Sequence, residues 1–233
     1  MNISVIIPTF NEETTIERTL KALVTDGYAH EVIVVDGGST DKTVRLVDET
    51  AAQLPPSVKT RLRLIYSQKG RAVQMNEGAR CAAGDVFLFL HADTTLPADG
   101  LKSIGREVTQ GARAGRFRMK FDDPNWLLNL YSAYTRFHAF SYGDQGFFAA
   151  RDLFREVGGF RTDVPFEDID FYRRVRNVTK PVIIAKPVTT SARRFRQFGF
   201  FKQKGINIWL VGLHALGFDV APIKKRIYPD FRS

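Results

Sequence analysis

With 233 residues, a net charge of +9 and a single cysteine, Cys81, the chain is one large α/β domain or one domain with a tail. It can close no internal disulfide, and it attracts an anion of some kind. Hydrophobic residues make up 44% and charged residues 25%, which provides for a sizeable core and excludes an intrinsically disordered chain. No apolar run approaches the roughly 18 residues of a membrane-spanning helix. The start, MNISVIIPTF, has no basic stretch before its apolar run, so no signal peptide and a cytoplasmic setting are expected.

In chain order, ISVIIPT (3–9) is a β-branched strand, followed by a helix over 12–24 with Ile16, Leu20, Leu23 and Val24 on one face. EVIVVDG (31–37) is the next strand, and a helix over 40–53 presents Val44, Val47 and Ala51, with Ser39 and Thr40 as its N-cap candidates. RLRLIYS (61–67), a helix over 71–83 and DVFLFLHAD (85–93) continue the alternation. Continuous Val/Ile/Leu runs between helices predict a mostly parallel sheet with helices on both faces. After residue 110 the rhythm changes. AGRFRMKF (114–121) alternates like an exposed or edge strand, 125–140 is an aromatic-rich helix, and GDQGFFAA (143–150) is a turn and short strand. A helix over 165–178 has an acidic first turn, and PVIIAK (181–186) is a strand. The expected division is a domain over 1–200 and a basic, apolar helical appendage over 201–233.

In open α/β sheets ligands bind beyond the carboxyl ends of the strands. Polar or glycine-rich chemistry stands at four such ends: Pro8-Thr9-Phe10-Asn11-Glu12-Glu13, Asp36-Gly37-Gly38-Ser39, Ser67 with Gly70-Arg71, and His91-Ala92-Asp93. Asp36 either caps the following segment or accepts from a ligand, with Gly37 and Gly38 permitting close approach. His91 and Asp93 share a face if their strand persists and can then share a cation and a diphosphate; otherwise Asp93 is a helix cap. Glu167, Asp168 and Asp170 are either dipole-favoured charge at a helix start or include a general base. Arg193, Arg194 and Arg196 are either a solvated face or a phosphate clamp.

PTFNEE, VVDGGSTDKT, GRAVQMNEGA, GDVFLFLHADT and FEDIDFYRR, in this order and spacing, resemble the family 2 inverting glycosyltransferases of the GT-A fold. LHADT, GDQG and TTSARRF are most similar to a small bacterial subgroup of single-domain members. The likeness covers roughly residues 1–200. It implies a GT-A domain that moves a sugar from a nucleotide-diphospho-sugar, a UDP-sugar first, to a hydroxyl acceptor with inversion. The residues it implies for the nucleotide are Pro8, Thr9, Phe10, Glu12, Asp36, Gly38 and Arg71. Arg193 and Arg194 would hold the diphosphate, Asp93 with His91 a divalent cation, Mn2+ or Mg2+, and Asp168 would be the base, with Glu167 the next candidate. Apart from the likeness, Gly143 and Gly146 let the loop between them approach a substrate closely, so Asp144 and Gln145 either line the acceptor pocket or form a plain hairpin turn. His91 stands where the family's metal signature has its first Asp, and Phe195 where processive relatives have Trp, which argues against a polymer synthase.

The rival readings are a nucleotidyltransferase-like enzyme, disfavoured by the acidic PTFNEE, and a nucleotide-sugar-binding protein without transfer activity. The positive charge alone suggests nucleic acid, but no aromatic–basic stripe or zinc spacing supports it. The tail FFKQKGINIWLVGLHALGF (200–218) places Ile206, Trp209, Leu210 and Leu213 at helical spacing between Lys202/Lys204 and Lys224/Lys225/Arg226. It is either an interfacial helix on the anionic inner face of a membrane, consistent with a lipid-linked acceptor, or a helix packed on the domain or in a homodimer interface.

Overall fold

A computed structural model describes residues 1–138 and 143–227. The chain runs β1 (Ile3–Thr9), α1 (Ile16–Asp26), β2 (Glu31–Asp36), α2 (Thr43–Ala52), β3 (Arg61–Tyr66), α3 (Arg71–Cys81), β4 (Val86–Phe89), β5 (Thr94–Thr95) and α4 (Gly100–Thr109). It continues through β6 (Ala114–Phe121), α5 (Trp126–Tyr134), a 3-10 turn (Gly143–Gln145), β7 (Phe147–Ala150), α6 (Arg151–Glu156), α7 (Glu167–Val178) and β8 (Val182–Thr190). Three helices close it: α8 (Arg193–Phe198), α9 (Phe200–Ala215) and α10 (Ala221–Ile227). The predicted strand 3–9 is met at both ends.

The strands form one sheet in the order β3-β2-β1-β4-β7-β6-β8-β5. β1 pairs in parallel with β2 and β4, β2 with β3, and β6 with β8; β7 runs antiparallel to β4 and β6, and β5 to β8. Side-chain alternation along the strands feeds two cores. Ile3, Val5 and Ile7 face Ile16, Leu20 and Leu101 of α1 and α4, while Ile6 and Phe89 face Met75, Leu153 and Phe171 of α3, α6 and α7. Helices therefore cover both faces, as the continuous apolar strands predicted. Gly78 sets the depth of α3, since a Cβ there would collide with Ile6 and press on Val35. That close approach carries Arg71 and Gln74 to the carboxyl ends of the strands.

Several expectations change. β4 stops at Phe89, so His91 and Asp93 stand on the turn beyond it and share no strand face. β6 is interior, between β7 and β8. Its alternation is misleading because Arg116 is fully buried, donating to the carbonyls of Thr135 at 2.7 Å and Phe137 at 2.8 Å. Ala51 of α2 is exposed, and the buried face runs through Thr43, Val47 and Thr50. Ser39 and Thr40 do not cap α2: the Asp41 carboxylate accepts from Thr43 N at 2.9 Å. The aromatic helix ends at Tyr134, and residues 139–142 of its predicted span lie outside the described residues.

Candidate active site

Two groups of predicted residues assemble beyond the strand ends. The first sits over β1 and β2. Phe10 is partly exposed beneath the Lys69 ammonium, 3.9 Å from its ring centroid. Asp36 is buried, and its carboxylate accepts from Gly38 N at 2.9 Å, from Ser39 N at 2.8 Å and from the Ser39 hydroxyl. Gly38 takes φ +87°, a conformation open to glycine. Asp36 therefore braces its own loop, the cap-like role the sequence left open. The neighbouring loop is laced to it: Asn11 N donates to Ser39 Oγ at 2.9 Å, Thr40 N to Asn11 Oδ1 at 2.9 Å, and Glu12 N to Thr43 Oγ1 at 2.7 Å. Underneath, Gln74 Nε2 donates to the carbonyls of Thr9 and Val35, both at 2.7 Å. This cross-linking makes a stiff cradle with Phe10 at its lip, joined to Pro8 and Thr9 of β1.

The second group lines a cavity of about 480 Å³ walled by Arg71, His91, Asp93, Asp144, Asp168, Arg193 and Arg194. Arg71, at the N-terminus of α3, pairs with Glu167 and lies 3.7 Å from Asp168 Oδ2. Burial works against its charge, but Glu167 and Asp168 outweigh burial and hold its pKa above the usual range. Asp168 opens to the cavity whereas Glu167 is turned to Arg71, so the acidic pair at the start of α7 divides its labour. Both stand in the first helical turn, where the dipole favours the carboxylate.

His91 Nδ1 is 3.0 Å from Asp144 Oδ1, and its Nε2 is 3.4 Å from Arg71 Nη1. Burial raises the Asp144 carboxyl, but the hydrogen bond and charge of His91, with Arg194 and Arg71, hold it below the carboxylate range; its side chain remains 42% exposed to the cavity. Gln145 is fully buried and is absent from the cavity wall. Burial pushes Arg194 down to about 10 against the attraction of Asp144. Arg193 donates to both oxygens of the buried Glu12, at 2.9 and 3.1 Å, and its Nη2 lies 3.5 Å from Asp93 Oδ2. The Glu12 carboxylate is thereby committed to Arg193, which ties the cradle to the cavity.

Among the described residues no three His, Cys, Asp or Glu side chains converge as a metal cage. Asp93 offers one hard oxygen donor to the cavity. His91 fits a cation poorly, because one ring nitrogen faces a carboxylate and the other a guanidinium. The residues therefore suit a cation that takes most of its oxygen ligands from a bound diphosphate.

The profile of glycosyl transferase family 2 matches residues 4–162. The chain belongs to glycosyl transferase family 2. Its fold resembles the GT-A mannosyltransferase PcManGT of Pyrobaculum calidifontis, described in complex with GDP-Man and Mn2+, at a TM-score of 0.65 and 24% identity over 82% of this chain and 56% of that one. It also resembles S. aureus TarS in complex with UDP-GlcNAc, at 0.65 and 20% identity over 82% of this chain and 58% of that one. In sequence it is 34% identical over 114 residues to the undecaprenyl-phosphate 4-deoxy-4-formamido-L-arabinose transferase of Pectobacterium carotovorum, covering 47% of this chain and 34% of that protein. The family 2 chain thus spans about a third of that relative's length.

Sequence reasoning missed several residues of the site. Asn11, at φ +54°, holds the cradle; Asn tolerates this region better than most residues, which was the available signal. Gln74 was hidden inside a helical pattern. Lys204, read as a basic flank of the tail, instead lines the cavity beside Gln203 and Asn207.

Proposed function

We propose that this family 2 protein transfers a sugar from a nucleotide-diphospho-sugar to a hydroxyl acceptor with inversion. The observation that carries the reading is the cavity itself: the carboxylate of Asp168 lines it together with Arg71, Arg193 and Arg194, next to a preformed cradle. Phe10 stacks under the base, Asp36 and the Gly38 loop meet its edge, and Pro8, Thr9, Glu12 and Arg71 complete the nucleotide site. Asp168 removes the acceptor proton as the acceptor oxygen bonds to the anomeric carbon and the bond from that carbon to the diphosphate oxygen breaks. A positioned base contributes roughly 10²–10⁴-fold. Arg194, with Arg193, meets charge developing on the leaving diphosphate, an electrostatic contribution of the kind that dominates many sites. Asp93 would hold a divalent cation, Mn2+ or Mg2+, that supplies further neutralisation of that diphosphate. Asp144 orients His91 at the acceptor end. UDP is the first nucleotide to test, and GDP the second.

An acceptor carried in a membrane is the version favoured by the exposed apolar faces of α5 and α9, where Trp126, Leu130, Phe201, Ile208, Trp209 and Leu216 reach solvent. The protein would then sit peripherally on the membrane's inner face. Residues 1–200 would act as the catalytic unit, and the segment from 201 would contribute both cavity wall and membrane contact.

A screen of UDP-, GDP- and TDP-sugars for Mn2+-stimulated hydrolysis tests the reading without an acceptor. One donor should be hydrolysed, with loss of that activity in Asp93→Ala. Binding of a nucleotide with no hydrolysis or transfer from any donor would instead favour a protein that only binds nucleotide-sugars.

A further inference from the structure

The cavity has two unlike halves. Its polar half is the cluster just described. The other half is walled by Met119 and Phe121 of β6, Tyr131 of α5, Phe195 of α8, and Ile208 and Val211 of α9. Tyr131 stacks on Phe121 at 5.9 Å and Phe195 meets Phe121 edge-on at 5.2 Å, so this wall is a continuous aromatic surface. Ile208 lines the cavity and is also 70% exposed, which means that the apolar half opens directly onto the exposed face of α9.

Lys204 lines the same cavity against this aromatic wall. Its ammonium lies 3.3 Å from the centroid of the Tyr131 ring, and burial pushes it down to about 8. Among the described residues no carboxylate forms an ion pair with it. A half-buried ammonium held over a ring face keeps donors for an incoming anion, and cation–π contact replaces only part of its lost hydration. Gln203 and Asn207, on the same side of α9, add amide groups to the cavity.

Resting on the transfer reading above, we propose that this half is the acceptor subsite and that it selects an amphiphile: an anionic group, phosphate or carboxylate, held at Lys204, with a hydrocarbon chain running over Tyr131, Ile208 and Val211 to the outside. Arg193 is held by Glu12 and lies near Asp93, whereas Lys204 is held over Tyr131, so donor diphosphate and acceptor anion are assigned to different cations. The shared chemistry of a lipid headgroup and a free phosphate is separated by the chain.

The test is calorimetric titration of the full chain with octyl phosphate, inorganic phosphate and octanol, each below aggregation, with UDP and GDP titrated in parallel in the presence of Mn2+. Octyl phosphate should bind at least ~10-fold more tightly than either inorganic phosphate or octanol, since it alone makes both contacts. Lys204→Met should weaken octyl phosphate at least ~10-fold, as loss of a hydrogen bond to a charged group does, Lys204→Arg should retain most of the affinity, and nucleotide binding should stay unchanged in both. Ile208→Ser, at an exposed position that costs the fold little, should weaken octyl phosphate but not inorganic phosphate. Octyl phosphate bound equally well by wild type and Lys204→Met overturns the proposal, as does octanol binding as tightly as octyl phosphate. Equal affinity for inorganic phosphate and insensitivity to Ile208→Ser overturn the chain half. Failure of both nucleotides to bind wild type would defeat the transfer reading and, with it, the assignment of this subsite to an acceptor, even where the amphiphile pattern holds.

Discussion

Arg193 donates two parallel hydrogen bonds to Glu12, at 2.9 and 3.1 Å, and so clamps the segment after β8 onto the loop after β1. Glu12 is 1% exposed. Removing its arginine leaves a buried carboxylate without its main partner, a change that costs about 3–5 kcal/mol in fully buried pairs. Arg193 is itself partly exposed, which puts Arg193→Ala at about 2–3 kcal/mol. At roughly 2–4 °C per kcal/mol for a chain of this size, the midpoint of thermal unfolding should fall by about 5–10 °C. Glu12→Gln should remove most of the extra cost in a double-mutant cycle. A fall below about 2 °C for Arg193→Ala would mean that the clamp is not structural.

Asp168→Asn should reduce turnover at least ~10²-fold while leaving nucleotide affinity within a factor of about two. Glu167→Gln should act differently. It releases Arg71, the neighbour of both His91 and Asp168, so donor affinity and turnover should fall together. Near-normal turnover in Asp168→Asn, with collapse in Glu167→Gln, would transfer the base role to Glu167.

Asp93 and Asp36 separate by metal dependence. Asp93→Ala should abolish the part of nucleotide affinity that Mn2+ adds and leave the rest. Asp36→Ala should weaken binding with and without Mn2+, and it should also loosen the loop at Gly38 and Ser39, whose amides it accepts. Calorimetry in which Mn2+ still tightens nucleotide binding to Asp93→Ala would remove the cation from that carboxylate.

The architecture was readable because its strands carry the signal themselves. ISVIIPT and EVIVVD are buried along their whole length, and such runs have few alternatives to a covered strand. The site was readable as a set of strand-end residues for the same reason. What the sequence could not give was pairing. Nothing local says that Arg193 reaches Glu12, or that Arg116 is buried under two carbonyls, because both depend on contacts between distant segments. β6 reads as an edge strand when its alternating cations are assumed to be solvated. Lys204 shows the limit most clearly. Between Phe201 and Trp209 it looks like the polar rim of an amphipathic helix, and only the packing of α9 on Tyr131 turns it inward.

Lys204 also gives a pH signature. Burial holds its pKa at about 8, below the roughly 10.4 of an unfolded lysine. Between these values the unfolded chain binds the proton and the folded chain does not, so this group makes stability rise with pH across that window. Below pH 8 both states are protonated and the full burial cost remains. Lys204→Met should therefore be most stabilising, relative to wild type, near pH 7, and that advantage should shrink by pH 10. Parallel thermal unfolding at the two pH values checks it; an advantage that grows with pH would contradict the burial of the ammonium.

The remaining prediction concerns the outer face of α9. Phe201, Ile208 and Trp209 fall on one side of the helix, while Leu210 is buried against the domain and Ile206 and Leu213 pack beside it. The predicted apolar stripe is thus split: Leu210, Ile206 and Leu213 pack, and Trp209 faces out. Trp126, Leu130 and Phe137, in or just beyond α5, add exposed apolar surface, and exposed apolar surface of this kind marks an interaction site. No helix of the described residues is long and apolar enough to cross a membrane, so contact with a bilayer would be interfacial, with Lys202 and Arg226 exposed nearby. Each basic residue close to an anionic surface contributes about 1 kcal/mol, and salt screens it. The protein should therefore sediment with vesicles containing phosphatidylglycerol, less with phosphatidylcholine alone, and less again as salt rises. A Phe201→Ser, Trp209→Ser, Leu216→Ser triple variant removes only exposed apolar side chains. It should keep its unfolding midpoint and nucleotide affinity while losing most vesicle binding. If wild type ignores anionic vesicles at low salt and instead forms a dimer that the triple variant abolishes, the same face is a protein interface, and the acceptor must reach the cavity by another route.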